Sequence, residues 1–417
     1  MTSQATATSR RGVFRTVALL GVAAALAAGC SGGSGGGSTQ GSGGGGGNGG
    51  GGGNGQPAAP AAKVSIIPAA NAANVKPGTP VVVSATGGKL ISVSVADTAG
   101  RKVVGALNGD ASTWTSTGAL SFGATYTVTA HAENGSGTGT DSSSKFTTLR
   151  PAKLAYDAMA PLNGSVMGVG EPIRIYFHND ANDSALAVTN QTEVIKHLTV
   201  RTSPQQAVGY LWFGGGTELH LRPQVYWKAG TQITVSINLQ GVELAKGVYA
   251  KRSRDVSFTI GPKHYSVANT KTHRFMVYEN DKLVKNFPAS MGKEVPGRYT
   301  HNGVHVVIEK KRVQHMDSTT FGLALDAGGY TADVQYAVRI SNNGEFAHSA
   351  PWSVAQQGVA NVSHGCANLS PANAAWFFNF SRPGDVVEVT GSPVPLTPKD
   401  GDVYDWTIAW SKWNKLA

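Results

Sequence analysis

Residues 61–150 consist of short runs in which Val, Ile, Thr and Tyr alternate with small polar residues. Gly, Asn and Asp separate these runs, and no apolar face at helical spacing is evident. Many short alternating segments with turn residues between them are typical of a β-sandwich. Residues 151–262 show a similar pattern. The chain is therefore predicted to be mainly β, with two consecutive β-sandwiches.

A loose internal repeat indicates that the two sandwiches are of one kind. Residues 123–129 (GATYTVT) and 230–236 (GTQITVS) match loosely, position by position, and a Phe-Thr strand follows each of them. Pro151 and Pro262 come soon after, and proline lacks the N–H that a strand needs. We predict two tandem immunoglobulin-like domains, whose role is to space and orient another domain.

The pattern changes after the second sandwich, which predicts a different β-rich domain over residues 263–392. Residues 274–290 alternate as two strands around an Asn-Asp-Lys turn, which predicts a hairpin. A helix is predicted over residues 371–379, with Ser370 as its N-cap and Pro at its first position. Further strands are predicted at residues 303–311, 336–341 and 385–390.

The last segment, residues 393–417, is rich in tryptophan. Trp406, Trp410 and Trp413 are spaced as i, i+4 and i+7, which places them on one face of a helix. We interpret this face as one that packs the tail onto the preceding domains rather than as a ligand site. The sequence thus predicts a short Trp-rich helical C-terminal tail.

Residues 1–30 have the order of a secretory signal, with three Arg and no acid before an apolar run that ends at Cys30. The run is too short for a membrane-spanning helix. Its Ala-Gly-Cys ending resembles a bacterial lipobox, although Ala27 stands where Leu is preferred. We expect export and lipid anchoring through Cys30 to the outer face of the cell membrane. An ordinary signal peptide cleaved nearby is the alternative.

A Gly-rich segment follows at residues 31–60. Of the 25 residues 31–55, 17 are Gly. Such a segment cannot bury apolar surface, so it is predicted to be a disordered tether.

The chain is basic and poor in charge. Charged residues make up 14 %, and the formal net charge is +10. No Lys/Arg-rich run with interleaved aromatic residues is present, so a nucleic-acid partner is not expected. A diffuse positive charge suits an anionic envelope or wall polymer.

The cysteines point to the chemistry. The chain has two, Cys30 and Cys366, so acylation of Cys30 leaves one thiol in an exported protein. Cys366 lies among Ser, His, Gly and Asn rather than in an apolar run. A cysteine attacks as its thiolate, and a nearby His can take the proton. Both His348 and His364 could serve, and their spacing does not decide between them. The N–H groups of Gly365 and Cys366 are the expected oxyanion donors.

Other roles for the histidines have less support in the sequence. His348, His364 and Cys366 could bind zinc, but no fourth ligand is evident, so neither a metal nor another cofactor is expected. His301 and His305 lie four residues apart in a predicted strand, where they share a face. We expect them to be ordinary surface or hydrogen-bonded histidines.

Together, His348 and the motif Ser-His-Gly-Cys-Ala-Asn at 363–368 resemble the signature of L,D-transpeptidases of the YkuD family. Residues 277–292 (VYENDKLVKNFPASMG) resemble the opening hairpin of that family. The order of lipobox, two immunoglobulin-like domains, catalytic domain and Trp-rich tail is similar to that of the mycobacterial-type enzymes.

The resemblance implies an acyltransferase of the cell wall. Cys366 would attack the peptide bond after the third residue of a peptidoglycan tetrapeptide stem and release D-Ala. The diaminopimelate amine of a second stem would resolve the thioester, giving a 3→3 cross-link. His348 would be the general base, Ser349 would orient it through its carbonyl, and His364 would support the cysteine loop.

The resemblance also implies further roles around the nucleophile. Gly365, Cys366 and Tyr330 would form the oxyanion site, and residues 312–330 would be a mobile lid. Carbapenem β-lactams would be covalent inhibitors. The residues that would hold the substrate are Asn343, Gly344 and Asn368.

Two alternatives remain at this point. The same acyl-enzyme resolved by water would make the protein an L,D-carboxypeptidase or endopeptidase, because the outcome depends on how well the lid excludes water. A lipid-anchored, non-catalytic wall-binding protein is the other. For an active Cys–His pair, we expect the rate to rise with pH through the pKa of that pair, near neutrality.

Overall fold

The computed structural model describes residues 60–322, 324–398 and 403–416. The predicted signal peptide, Cys30 and residues 31–59 of the predicted tether lie outside the described residues. None of the helices in the described part of the chain is long and apolar enough to cross a membrane.

The first β-sandwich has one four-stranded and one three-stranded sheet. Their orders are β1-β2-β5-β4 and β3-β6-β7. The sheets share a hydrophobic core that includes Trp114, Leu120 and Phe146. The strands are β1 (Lys63–Ile67), β2 (Val82–Thr86), β3 (Gly88–Asp97), β4 (Gly105–Leu107), β5 (Thr113–Ser116), β6 (Thr125–Asn134) and β7 (Gly139–Thr147).

The second β-sandwich follows with two larger sheets. Its elements are β8 (Lys153–Ala160), β9 (Val166–Met167), β10 (Ile173–Asn179), α1 (Gln191–Lys196), β11 (Leu198–Ser203), β12 (Val208–Phe213), β13 (Glu218–Pro223), β14 (Gln232–Ile237), β15 (Glu243–Ala245), β16 (Val248–Ala250) and β17 (Arg254–Ile260). One sheet has the order β11-β14-β17-β9, and the other contains β15-β16-β8-β10-β13-β12. The short helix α1, which the strand pattern did not predict, buries Val194 in the core.

The loose sequence repeat corresponds to a structural one. Strand β6 lies between two antiparallel partners, β3 and β7, and β14 lies between β11 and β17. In both domains the later partner carries the Phe-Thr pair. The two sandwiches therefore share a central strand with antiparallel partners on both sides.

The third domain holds the cysteine motif. Its elements are β18 (His264–Asn269), β19 (Arg274–Glu279), β20 (Lys282–Pro288), β21 (Gly303–Val306), β22 (Glu309–Asp317), β23 (Thr331–Arg339), β24 (Phe346–Ser349), β25 (Ala367–Leu369), α2 (Pro371–Phe380) and β26 (Val386–Thr390). Its two sheets have the orders β20-β19-β18-β26-β21 and β22-β23-β24-β25. Phe275, Leu369 and Phe377 belong to the core that both sheets and α2 share.

Local predictions in this domain are confirmed. The β19–β20 hairpin turns at Asn280 and Asp281, which adopt φ of 49° and 66°. Helix α2 begins after Ser370, whose side chain accepts a hydrogen bond from the N–H of Asn373. These features depend on a few neighbouring residues, so the sequence pattern suffices to predict them.

The prediction of one strand over residues 303–311 is wrong in one respect. The chain forms two strands there, β21 and β22, which are separated by Val307 and Ile308. The N–H of Val307 bonds to Asp385 O, whereas the N–H of Ile308 bonds to Arg339 O. These two acceptors lie next to different sheets. The chain passes from one sheet to the other at this point, and an unbroken apolar run cannot reveal that step.

The tail does not form the single helix that the tryptophan spacing predicted. Two short 3-10 helices, Asp405–Thr407 and Trp410–Lys412, are separated by extended residues, and the strand β27 (Asn414–Lys415) then joins β12. The tail therefore wraps over the second sandwich.

A buried cation explains this path. The guanidinium carbon of Arg222 lies 4.4 Å from the ring centroids of Trp406 and Trp413 and 5.3 Å from that of Trp410. Arg222 is 2 % exposed, and burial lowers its pKa to about 10. Contact with three aromatic rings offsets part of the cost of removing this charge from water.

We predict that Arg222→Ala lowers the free energy of unfolding by about 2 kcal/mol or more, because it removes the cation–π contacts and a buried side chain. Thermal and urea unfolding of the full chain measure the change. Arg201→Ala, at an exposed position of β11, is the matched control and is expected to change stability by less than about 0.5 kcal/mol. Equal stabilities of the two variants would refute the role of Arg222.

Candidate active site

Cys366 stands immediately before β25, in a tight loop that Ser363 holds closed. Ser363 Oγ donates to the carbonyl of Cys366 at 2.6 Å and accepts from the N–H of Gly365 at 3.1 Å. Gly365 has φ of 126°, a conformation that favours glycine. The Gly365 N–H, predicted as an oxyanion donor, is thus hydrogen-bonded within the loop in this arrangement.

The thiol of Cys366 is 3 % exposed. Its Sγ donates to the carbonyl of Gly344 at 3.6 Å. Burial raises the pKa of the thiol to about 12, and the charge of Glu345 also raises it. At neutral pH, Cys366 is therefore a protonated thiol.

His348 lies in β24 and is also 3 % exposed. Its Nδ1 is 2.9 Å from the carbonyl oxygen of Ser349. A carbonyl only accepts, so Nδ1 carries the hydrogen and Nε2 presents a lone pair. Burial lowers the pKa of His348 to about 4, so the ring is neutral at neutral pH. A neutral imidazole of this tautomer is suited to act as a base through Nε2.

The arrangement favours His348 over His364 as the partner of Cys366. His348 pairs with Asn368 across the parallel strands β24 and β25, and Cys366 lies two residues before Asn368. His364 instead places Nε2 3.2 Å from the carbonyl of Gly328, and its ring packs 4.7 Å from that of Tyr330. His364 thus connects the cysteine loop to the predicted lid.

A first cavity of about 350 Å³ contains both groups of this pair. Tyr330 lines it too, and burial raises the pKa of the Tyr330 hydroxyl, which therefore stays protonated and able to donate. The remaining lining is mostly apolar. The residues that line it are Met316, Tyr330, Ala332, Val334, His348, Trp352, Val362, Ser363, His364, Cys366 and Asn368.

The structure separates the residues predicted to hold substrate. Asn368 lines the first cavity, but its side chain donates to Ser353 Oγ at 3.1 Å and its backbone pairs with Ser290. Asn343 and Gly344 line a second cavity of about 740 Å³. His364 lines both cavities, so the cysteine loop stands between two spaces.

The predicted lid, residues 312–330, is partly regular structure. Its first six residues continue β22 and pair with β23, and two short 3-10 helices follow at Ser318–Phe321 and Leu325–Ala327. The carbonyl of Gly328 accepts from Arg298 Nη2 at 3.1 Å and from His364 Nε2 at 3.2 Å. The bond from His364 fastens the segment after β22 to the cysteine loop, and the bond from Arg298 fastens it to the segment between β20 and β21.

The sequence pattern did not identify Glu345, a buried residue that lies against the cysteine loop. Glu345 is 3 % exposed and hydrogen-bonded to His301, and both line the second cavity. Two signals were available in the sequence: Glu345 is the only acid between residues 334 and 384, and it precedes His348 by three positions.

His305 is fully buried, and its ring nitrogens lie near the carbonyls of Ile340 and His301. It is therefore a hydrogen-bonded histidine, as expected.

The arrangement does not resemble a metal centre. Within residues 60–322, 324–398 and 403–416, no group of three or more His, Cys, Asp or Glu side chains is placed to hold a metal ion. The histidines of the cysteine region bond to backbone carbonyls of Ser349 and Gly328.

Comparison with known families gives two matches. A bacterial Ig domain model matches residues 72–243, and a model of the L,D-transpeptidase catalytic domain (YkuD) matches residues 263–389. The first match spans parts of both β-sandwiches, and the second coincides with the third domain.

Curated relatives match over most of the chain. L,D-transpeptidase 2 of Mycobacterium tuberculosis is 36 % identical over 344 residues, which cover 82 % of this chain and 82 % of that protein. L,D-transpeptidase 5 of the same species is 34 % identical, covering 84 % of this chain and 76 % of that protein. A solved L,D-transpeptidase in complex with imipenem is 34 % identical, covers 58 % of this chain and 99 % of its own, and has a TM-score of 0.48.

Proposed function

We propose, since this chain belongs to the L,D-transpeptidase family of enzymes, that it joins two peptidoglycan stem peptides by a 3→3 cross-link through a thioester on Cys366. The observation that carries the proposal is that a buried thiol and a buried neutral imidazole line the same cavity. The Ser349 carbonyl fixes the tautomer of His348.

In the first half-reaction, His348 Nε2 takes the thiol proton as Cys366 Sγ attacks the carbonyl between the third residue and the terminal D-Ala. The developing oxyanion is stabilised by the Tyr330 hydroxyl and the Cys366 N–H. His348 then returns its proton to the D-Ala nitrogen. The C–N bond breaks, D-Ala leaves, and the stem remains as a thioester.

In the second half-reaction, an amine of another stem attacks the thioester carbonyl, and the C–S bond breaks as the new amide forms. Two cavities adjoin the cysteine loop, which suits a reaction with two peptide substrates. The mostly apolar cavity that contains Cys366 and His348 is the one in which the thioester would form. Water in place of the amine would give the hydrolytic outcome.

The location of the enzyme is also a proposal. The order of charges, apolar residues and Cys30 supports export and acylation of Cys30, which anchors the chain at the outer face of the membrane, facing the wall. Two domains of β-sandwich would then separate the third domain from the membrane surface.

The central test is mass spectrometry of the full chain incubated with a disaccharide-tetrapeptide. We expect a cross-linked dimer with loss of D-Ala, none with Cys366→Ala, and a rate at least about 10²-fold lower with His348→Ala. His131→Ala, in the first sandwich, is the control and should match the wild type. A tripeptide without dimer would indicate a hydrolase, and no change of the peptide would favour a wall-binding protein. A carbapenem should add its mass to Cys366 alone.

The burial of the pair leads to a prediction that differs from a rate that rises near neutrality. His348 is neutral above about pH 4, and Cys366 keeps its proton below about pH 12. The reactive pair of thiol and imidazole therefore predominates between these values, as a coupled pair. We expect D-Ala release at saturating stem peptide to be nearly constant from pH 5 to 8 and to fall as His348 is protonated below that range. A steep rise between pH 6 and 8 would contradict a neutral resting pair.

Lipid anchoring is tested by fractionating cells that express the full chain or Cys30→Ala. We expect the wild type in the membrane fraction and the variant released, because a diacylated cysteine holds a protein at the bilayer. Cys366→Ala is the control, since it removes the other thiol and should stay with the membrane. Equal membrane association of Cys30→Ala would support an ordinary signal peptide or another means of attachment.

A further inference from the structure

Three successive peptide units form the cysteine loop, and Ser363 holds the first and the third. Its Oγ accepts from the N–H of Gly365 at 3.1 Å and donates to the carbonyl of Cys366 at 2.6 Å. These two groups belong to the peptide units on either side of the Gly365–Cys366 unit. The middle unit, which contains the Gly365 carbonyl and the Cys366 N–H, needs a partner of its own.

That partner is Thr300, in the segment between β20 and β21. Its Oγ1 donates to the carbonyl of Gly365 at 2.7 Å and accepts from the backbone N–H of Gly292 at 2.8 Å. A carbonyl only accepts, so the single hydrogen of the hydroxyl is directed at Gly365. The residue is 1 % exposed, so solvent does not compete for this hydrogen bond.

The backbone around Thr300 is itself fixed on two sides. Gly292, which donates to Thr300, also forms a β-bridge with Ser363 of the cysteine motif. The N–H of the next residue, His301, donates to Oε1 of the buried Glu345 at 2.7 Å. The hydroxyl of Thr300 therefore has a fixed position relative to the cysteine loop.

The direction of the Cys366 N–H follows from that of the Gly365 carbonyl. Both groups lie in one planar peptide unit, in which the C=O and the N–H point in opposite directions. A hydroxyl that holds the carbonyl on one side of the loop therefore directs the N–H to the other side. In the proposed mechanism, this N–H and the Tyr330 hydroxyl receive the oxyanion, and such donors are effective when they are oriented before the reaction begins.

We propose that Thr300 is a positioning residue for acyl transfer: its hydroxyl holds the Gly365 carbonyl and thereby directs the Cys366 N–H at the oxyanion. The proposal rests on the thioester chemistry proposed above for Cys366. Thr300 is not among the residues that line either cavity, so it acts through the backbone rather than by touching substrate. As Cys366 Sγ attacks, the carbonyl oxygen gains charge and accepts from an N–H that does not have to reorient.

This role distinguishes attack on a carbonyl from other reactions of the thiol. Acylation by a stem peptide or by imipenem creates an oxyanion, whereas alkylation by iodoacetamide displaces iodide from a saturated carbon and creates none. The same sulfur reacts in both cases. Loss of the Thr300 hydroxyl should therefore slow acylation and leave alkylation unchanged, whereas a displaced thiol or a disrupted loop would change both.

The test compares Thr300→Val with Thr300→Ser in the full chain. Valine has the shape of threonine without the hydroxyl, and serine keeps the hydroxyl without the methyl group. For Thr300→Val, we expect kcat for D-Ala release and the rate of imipenem addition to fall about tenfold or more, with KM and iodoacetamide alkylation changed by less than about twofold. Thr300→Ser should stay within about threefold of the wild type in every assay. Mass spectrometry of the peptide that contains Cys366 measures each modification.

Thr148→Val is the matched control. Thr148 is 4 % exposed and lies in the first sandwich. Its Oγ1 donates to the carbonyl of Ser121 at 2.7 Å and accepts from the N–H of Ala124 at 2.9 Å. The variant loses the same two kinds of hydrogen bond from a buried threonine outside the cysteine loop, so its rates should match the wild type.

Four results would overturn the proposal. They are unchanged acylation in Thr300→Val, equal slowing of acylation and alkylation, a loss in Thr300→Ser as large as that in Thr300→Val, and an equal loss in Thr148→Val. Alkylation at the wild-type rate shows that a variant has folded, and Thr300→Ala replaces Thr300→Val, with the same expectations, if valine prevents folding.

Failure of the proposed function gives a different result. The wild type would then release no D-Ala, while imipenem addition to Cys366 would still report on the role of Thr300. A wild type that is acylated by neither compound would overturn both proposals.

Discussion

The parallel pairing of β24 with β25 is the constraint on which the site depends. It sets His348 opposite Asn368 and thereby brings Cys366, which directly precedes β25, next to a histidine 18 residues away in the sequence. Asn368 secures the other edge of β25 by pairing its backbone with Ser290. Asn368, the last motif residue, was expected to hold substrate. In this structure it instead holds β25, the strand that directly follows Cys366, in place.

Burial then determines the protonation states of Cys366 and His348. With both side chains about 3 % exposed, the separated charges of a thiolate and an imidazolium would each lack solvation, so the neutral forms prevail. Burial keeps the His348 imidazole from gaining a proton at rest, and the hydrogen bond from Nδ1 to the Ser349 carbonyl offsets this effect only in part. Such a thiol reacts chiefly when a carbonyl carbon is at hand to accept the sulfur.

The sequence predicted the parts that local chemistry controls. The two sandwiches, the hairpin at Asn280 and Asp281 and the helix capped by Ser370 follow from short-range patterns. The path of the tail did not, because it depends on Arg222, almost two hundred residues away from the tryptophans. The choice of His348 over His364 likewise required the β24–β25 pairing, and spacing along the chain contains no such information. Regular spacing of apolar residues indicates a face but not the partner of that face.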